Sequence, residues 1–408
     1  MRQKIFQSIL VGLVIIFIST SSSFGADPGL TKDSIKIGLF APLSGPYVLY
    51  GTPHRGALMQ YNEVNKKGGI HGRKLEIVLA DDKCSGPDLV AVVKKLVTKD
   101  EVFMLHGASC SSAAVSAQEY ITRVNVPWQL LNASGDQLQY PPIKNVFGHT
   151  VTQHAVGGST IEFMTKYLKA KKIAWICHND AYGSWGLVGA TYQLKAKHPE
   201  ASFSTVEKVD RDMTDATAVA LKVKSSNPDA IVLAVYDRPG ALLTKALYEL
   251  GVKVPMILLC TGSSNVFGTF EAVGAKEAFT NWYFQDVVRY GKDGKPGPEW
   301  ARKMFAENYP ELNKLPDRPT PWMFQGISSA ALVCKALEGA GPNPTREKVI
   351  ESYENIKDWE PLGIMAGKYS YGPDDHTGEQ DTTYFKFDGQ TVTPIPGSFE
   401  GIWRYGVE

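Results

Sequence analysis

Serine and cysteine side chains gather at two points where the chain changes character. Gly107-Ala108-Ser109-Cys110-Ser111-Ser112 follows the apolar run Val102 to Leu105, and Asp81-Asp82-Lys83-Cys84-Ser85-Gly86-Pro87 follows Leu75 to Ala80. Each run reads as a buried strand, and a helical pattern follows each. Strand ends in one parallel sheet lie side by side, so Cys84 and Cys110 are within reach of one another. The Ser109 to Ser112 loop opens a helix. Free N–H groups at a helix start, with hydroxyls beside them, suit an anion.

Further polar groups fall at the other strand ends. Ser44-Gly45-Pro46-Tyr47 with Tyr50 follows the first strand, and Asn132-Ala133-Ser134-Gly135 a later one. The second half adds Asn179-Asp180-Ala181-Tyr182, Tyr236-Asp237-Arg238 and Thr261-Gly262-Ser263-Ser264. Small hydroxyl residues dominate the first set, and aromatic and charged residues the second. In open α/β sheets ligands bind beyond the carboxyl ends of strands. A cleft between two such faces grips a carboxylate on one side and covers an apolar body with rings on the other.

Enzyme signatures are sparse. No GxGxxG follows the first strand, there is no P-loop, and Gly107-Ala108-Ser109-Cys110-Ser111 departs from GxSxG at its last position. The eight histidines, among them His54, His106, His149, His154 and His178, show no HExxH and no metal-ligand spacing. The Asp81-Asp82 pair is read as strand-end carboxylates bonded to loop N–H groups. An exported hydrolase with Ser109 or Ser111 as nucleophile stays open as an alternative, and no cofactor or metal is expected.

Strand and helix patterns alternate along the chain. A strand over Ile35 to Phe40 leads to Thr52-Pro53, an N-cap with Pro at the first helical position, and Gly68-Gly69 stops that helix. Repeated βα units continue to Leu131 and begin again after His149. This order calls for two similar doubly wound parallel-sheet lobes of an α/β fold. With no low-complexity linker, the joints are expected to be ordered hinge strands near Gly148 to Thr152, Ala278 to Phe284 and Asp358 to Gly367. The lobes are then 27–148 plus 282–359, and 149–281 plus 360–408, after a leader at 1–26.

That leader has Arg2 and Lys4, an apolar stretch from Ile9 to Ile18, small residues, and a cleavage site after Gly25 or Ala26. The apolar core is short for a membrane span, and no Cys follows it for lipid attachment. An exported, soluble, non-lipidated protein is expected, in an oxidising compartment where disulfides persist. With 43% hydrophobic residues and a net charge of +1, the chain can bury a core and lacks a nucleic-acid footprint. Five cysteines leave at least one unpaired, and a bridge between Cys260 and Cys334 stays open.

The chain resembles the periplasmic leucine/isoleucine/valine-binding protein family, the type I solute-binding proteins of ABC importers, over most of its length. The motifs are Ile37-Gly38, Pro42-Leu43-Ser44-Gly45-Pro46 and Tyr50-Gly51; Asn65-Lys66-Lys67-Gly68-Gly69-Ile70-His71-Gly72-Arg73; Asp81-Asp82 with Cys84; and Cys110-Ser111-Ser112. The resemblance implies a Cys84–Cys110 disulfide, and a carboxylate-binding Ser111 helped by Asn132 and Ser134. It also implies rings at Tyr50, Tyr182 and Tyr236, an inner-membrane permease partner and a periplasmic location. We expect Ser109, Asp237, Thr261 and Arg238, the last as a second cation, to complete the site of a monomer. Amino-acid binders of that family carry an acid after the strand matching Pro255 to Leu259, whereas here Cys260-Thr261-Gly262-Ser263-Ser264 has none. An ammonium buried without a partner is costly. The expected ligand is therefore an aromatic or other amine-free acid, with a branched-chain amino acid or an amide as the alternative.

Overall fold

The computed structural model describes residues 27–259, 266–289, 296–310 and 321–402. The leader, Cys260 and Thr261 lie outside the described residues. The first lobe is built from β1 (Ser34–Ala41), α1 (Pro53–Lys66), β2 (Lys74–Asp81), α2 (Gly86–Thr98), β3 (Met104–His106), α3 (Ser111–Val124), β4 (Trp128–Gln129) and β5 (Val146–Phe147). Its sheet has the order β2-β1-β3-β4-β5, parallel throughout.

The second lobe repeats this with α4 (Gln153–Glu162), β6 (Lys172–His178), α5 (Ala181–Lys197), β7 (Ser202–Val209), α6 (Thr217–Ser225), β8 (Ala230–Ala234), α7 (Asp237–Glu249), β9 (Met256–Leu258), α8 (Val266–Val273) and β10 (Trp282–Asp286). The chain returns to the first lobe with α9 (Pro296–Asn308), α10 (Pro321–Gly339) and α11 (Arg346–Glu354), then adds β11 (Thr383–Phe387) and β12 (Val392–Ile395) to the second sheet. That sheet reads β7-β6-β8-β9-β10-β11-β12, so its first five strands copy the order of the first lobe. The departure from a purely parallel sheet is the antiparallel β10–β11–β12 edge.

Burial follows position. β8 is buried at every residue, as a strand with helices on both faces must be, whereas the edge strands β2 and β7 mix buried and exposed positions. Local expectations hold with corrections. Gly69 has φ +81°, and a Cβ there would meet the Arg73 carbonyl oxygen at 1.9 Å, so only glycine can end α1 this way. Pro53 is the first residue of α1, but Thr52 has helical angles and turns its hydroxyl to the Leu49 carbonyl at 2.7 Å instead of capping. The helix α4 begins at Gln153 and passes into a π-turn at Phe163–Tyr167.

The lobes connect at three places. The first crossing lies between β5 and α4, where expected. The second comes later than expected: Trp282–Asp286 pairs with β9 and β11, so the chain leaves the second lobe only after Asp286. Asp358 to Gly367 does not carry the third crossing. Its residues Ile364 and Ala366 bond to Arg289 and Val287, alongside the second. The third runs from His376, whose ring bonds to the Ile143 and Val146 carbonyls, to Thr382, whose hydroxyl reaches Ser159 at 3.1 Å. The Gly148 N–H donates to the His376 carbonyl at 2.8 Å, tying the first and third crossings together.

Helix pairs within each lobe touch backbone to backbone. A Cβ on Gly56 of α1 would lie 2.0 Å from the Met323 carbonyl oxygen, and one on Gly326 of α10 would lie 1.8 Å from that of Pro53. In the second lobe Gly157 and Gly189 bring α4 and α5 together the same way. Gly326→Ala therefore forces α1 and α10 apart. We expect a loss of roughly 1–3 kcal/mol or more in urea unfolding, with weakened ligand binding, because this contact sets Trp322 against Tyr50.

Candidate functional site

Ser111 begins α3 and is buried. The Ser111, Ser112 and Ala113 N–H groups have no carbonyl within their own helix to bond, and the Cys110 side chain makes no cap. The Ser111 hydroxyl accepts from the Ser134 N–H at 3.0 Å, and the Ser134 hydroxyl accepts from Gln153 Nε2 at 2.6 Å. Each serine oxygen is thus fixed as an acceptor, and each O–H remains to donate. Ser109 Oγ and Asn132 Oδ1 nearby are buried without a hydrogen-bond partner. Donors thus gather at the start of α3, in one corner of the first lobe.

Rings from both lobes meet beside it. Tyr50 lies 4.8 Å from Tyr236 between centroids and 4.9 Å from Trp322, and Tyr182 lies 5.4 Å from Tyr236. Burial pushes the Tyr50 and Tyr236 hydroxyls well above the ordinary tyrosine range, so both stay neutral. His178 holds this wall in place. Its Nε2 accepts from the Tyr236 N–H at 2.8 Å while Nδ1 faces the Val209 carbonyl at 3.3 Å, which selects the neutral tautomer protonated at Nδ1. Burial lowers its pKa to match.

The lobes are closed upon each other. Tyr47 Oη donates to Asp212 at 2.7 Å, Ser112 Oγ to Asp180 at 3.3 Å, Trp185 Nε1 to Gln137 at 3.0 Å, and the Asp237 N–H to Tyr50 Oη at 3.4 Å. Arg211, just after β7, sits on the seam. Its guanidinium lies 5.2 Å over the Tyr47 ring, 3.8 Å from Asp180 and 3.8 Å from Cys84 Sγ.

Tyr50, Ser109, Ser111, Asn132, Ser134, Tyr182 and Tyr236 thus fall around one interlobe region. Arg238 is exposed on a groove of about 320 Å³ that it lines with Tyr50 of the first lobe and Asp237 and Lys245 of the second. Arg211 is a further cation on the seam, beside Tyr47 and Asp180. The sequence reading missed Arg211, Asp212 and Trp322. Asp210-Arg211-Asp212 follows a strand as the other site loops do, a signal available in the pattern. Trp322 had none, because α10 reaches Tyr50 only through tertiary packing.

Cys84 and Cys110 form a disulfide with Cα atoms 5.5 Å apart, tying the ends of β2 and β3. Cys334 is a free buried thiol, and the Cys260 end of the expected bridge lies outside the described residues. The Asp81-Asp82 reading holds. Asp81 accepts from the Leu43 and Lys83 N–H groups and the Ser44 hydroxyl, and Asp82 from the Cys84 N–H at 2.9 Å. Among the described residues no histidine or carboxylate hydrogen-bonds to Ser109 or Ser111 as a nucleophile's base would. Among the described residues no helix is long and apolar enough to cross a membrane.

A fold of two like sheets with donors and rings converging between them defines a ligand-binding protein that closes around a small molecule. The periplasmic binding protein family model matches residues 34–391, and the chain belongs to that family. Its members bind substrates and are not enzymes. An amino acid binding protein from Pseudomonas aeruginosa is 27% identical over 379 residues, 90% of this chain and 95% of that protein. Two solved structures share the fold. A branched-chain amino acid transporter substrate-binding protein from Streptococcus pneumoniae, in complex with isoleucine, has a TM-score of 0.76 at 21% identity, covering 89% of this chain and 99% of that one. An ABC transporter solute-binding protein from R. palustris, in complex with benzoate, has 0.77 at 18%, covering 91% and 98%.

Burial of the Asp82 carboxyl, opposed by the Cys84 N–H and reinforced by Asp81, lifts its pKa to about 7. A folded pKa above the unfolded one means that stability present below about pH 4 is lost as pH rises towards 7. Asp136, likewise raised to about 7 by burial, acts in the same direction. Asp82→Asn should therefore flatten, without abolishing, the fall in urea midpoint between pH 4 and 7. An unchanged slope would mean that Asp82 is ionised throughout.

Proposed function

We propose that this protein captures a small carboxylate, preferably an aromatic or other amine-free acid, between its lobes and delivers it to an ABC permease. The observation that carries this is the serine pair. Ser111 and Ser134 accept N–H bonds and keep their hydroxyl protons to donate, beside the α3 N–H groups. Isoleucine and benzoate, the ligands of the two related structures, share a carboxylate and differ in the amine. The segment Cys260 to Ser264 has no acid for an ammonium, and Asp180 is already engaged by Ser112 and Arg211. Tyr50, Tyr182, Tyr236 and Trp322 offer ring faces for an aromatic body. Amino-acid-named relatives support a second reading, a branched-chain amino acid with Asp237 facing its ammonium.

Hydrogen bonds to a charged group contribute about 1.5–3 kcal/mol each. Ser111→Ala should weaken the binding of an acid such as benzoate by about tenfold or more in calorimetry. A panel of aromatic acids and aliphatic amino acids decides between the two readings. Submicromolar leucine binding with no heat from aromatic acids would establish the second. The three crossings serve as hinges in this mechanism, so the bound ligand should lower the radius of gyration in small-angle scattering relative to the ligand-free open form.

A further inference from the structure

Asp180 is an acid on the seam between the lobes. One oxygen caps α5 by accepting from the Gly183 N–H at 3.1 Å, and the other faces Ser112 Oγ at 3.3 Å and Arg211 Nε at 3.8 Å. Arg211 rests on the Tyr47 ring, whose centroid lies 6.4 Å from that of Tyr236. A carboxylate flanked by tyrosine rings is the environment an ammonium seeks, through charge and cation–π attraction together. Here that environment already holds a guanidinium from the protein itself.

Resting on the carboxylate reading above, we propose that Arg211 is the specificity-determining residue of the cleft. It is a built-in cation that occupies the Asp180–Tyr47–Tyr236 corner and so turns away ligands that carry their own ammonium. An amino acid entering the closed cleft meets a like charge at Arg211 and a carboxylate whose charge is already matched. An amine-free acid meets neither penalty. The same guanidinium contacts Cys84 Sγ at 3.8 Å, so the disulfide-tied loop of the first lobe presses it into this corner as the lobes close. Asp212 receives the Tyr47 hydroxyl at 2.7 Å on the exposed side, and Asp237 meets Tyr50 through its backbone N–H.

The test measures leucine and phenylacetate dissociation constants by calorimetry for the wild type, Arg211→Met, Arg211→Lys and the double variant Arg211→Met with Asp180→Asn. Losing a contact across the seam loosens closure for every ligand, so the quantity read is the ratio of the two constants, which a merely structural role leaves unchanged. Arg211→Met should shift this ratio towards leucine by about tenfold or more, and Arg211→Lys should keep it near the wild-type value. In the double variant the shift should vanish, because the freed carboxylate is gone. A ratio unchanged in Arg211→Met, or a shift that persists without Asp180, overturns the proposal while leaving the carboxylate reading intact. Wild-type protein that binds neither probe overturns both.

Discussion

A helix that starts in the interior brings N–H groups that its own turns cannot satisfy, and α3 starts there. That constraint organises the rest of the first lobe. An unpaired buried donor costs about 1–3 kcal/mol, so the surroundings must supply an acceptor or admit one. The β3 strand aims the chain into the cleft, and the Cys84–Cys110 bond fixes where its end lies. The serine oxygens are spent on Ser134 and Gln153, and thus cannot satisfy the helix start. The corner is left as a set of donors, which under the proposed function an anion completes.

Each lobe is rigid for a reason separate from that corner. Backbone contact at Gly56 and Gly326 in one lobe, and at Gly157 and Gly189 in the other, leaves no room for the paired helices to slide. The seam between lobes is of a different kind. It consists of side-chain hydrogen bonds such as Tyr47–Asp212 and Trp185–Gln137, ring contacts and one guanidinium, most of them reachable by water when the lobes part. Net contributions near 1 kcal/mol per hydrogen bond leave closure finely balanced. A ligand's differential affinity for the closed form is then enough to tip the equilibrium. Stiff bodies and a weak seam are both needed, since a seam as apolar as the lobe cores would stay shut.

The alternation of strand and helix was legible because each βα unit writes its own local pattern, and the strand ends followed from it. Hence Ser111, Ser134, Tyr50, Tyr182 and Tyr236 could be placed in one region from their positions alone. Arg211 and Arg238 show the limit. Both follow strands, and only the packing of Tyr47 and Asp180 decides that the first turns inward while the second stays in solvent. Trp322 and the third crossing were illegible for a related reason. The segment between Glu354 and β11 forms turns and isolated bridges, held by long-range bonds such as Tyr371 to the Gly148 carbonyl, so it writes no periodicity. The early end of the expected second hinge has a similar cause: Trp282–Asp286 reads as a strand in either lobe, and its partners β9 and β11 assign it to the second.

Recognition in such a cleft divides between the lobes. The first supplies backbone N–H groups and hydroxyls, which recognise an anion but say little about what is attached to it. The second supplies Tyr182, Tyr236, Asp180 and Arg211, whose identities depend on side chains and not on the backbone of a helix start. A ligand held by the first lobe alone leaves the domains free to part, and only one that also fits the second completes the seam. Selectivity is therefore exercised at closure. Under the proposed function, substitutions on the loops after β6, β7 and β8 change what is accepted without disturbing how the ligand is first held. The architecture permits this because those loops ride on one parallel sheet, with β6 and β8 almost wholly buried and β7 at its edge, whose packing does not depend on the residues that follow the strands.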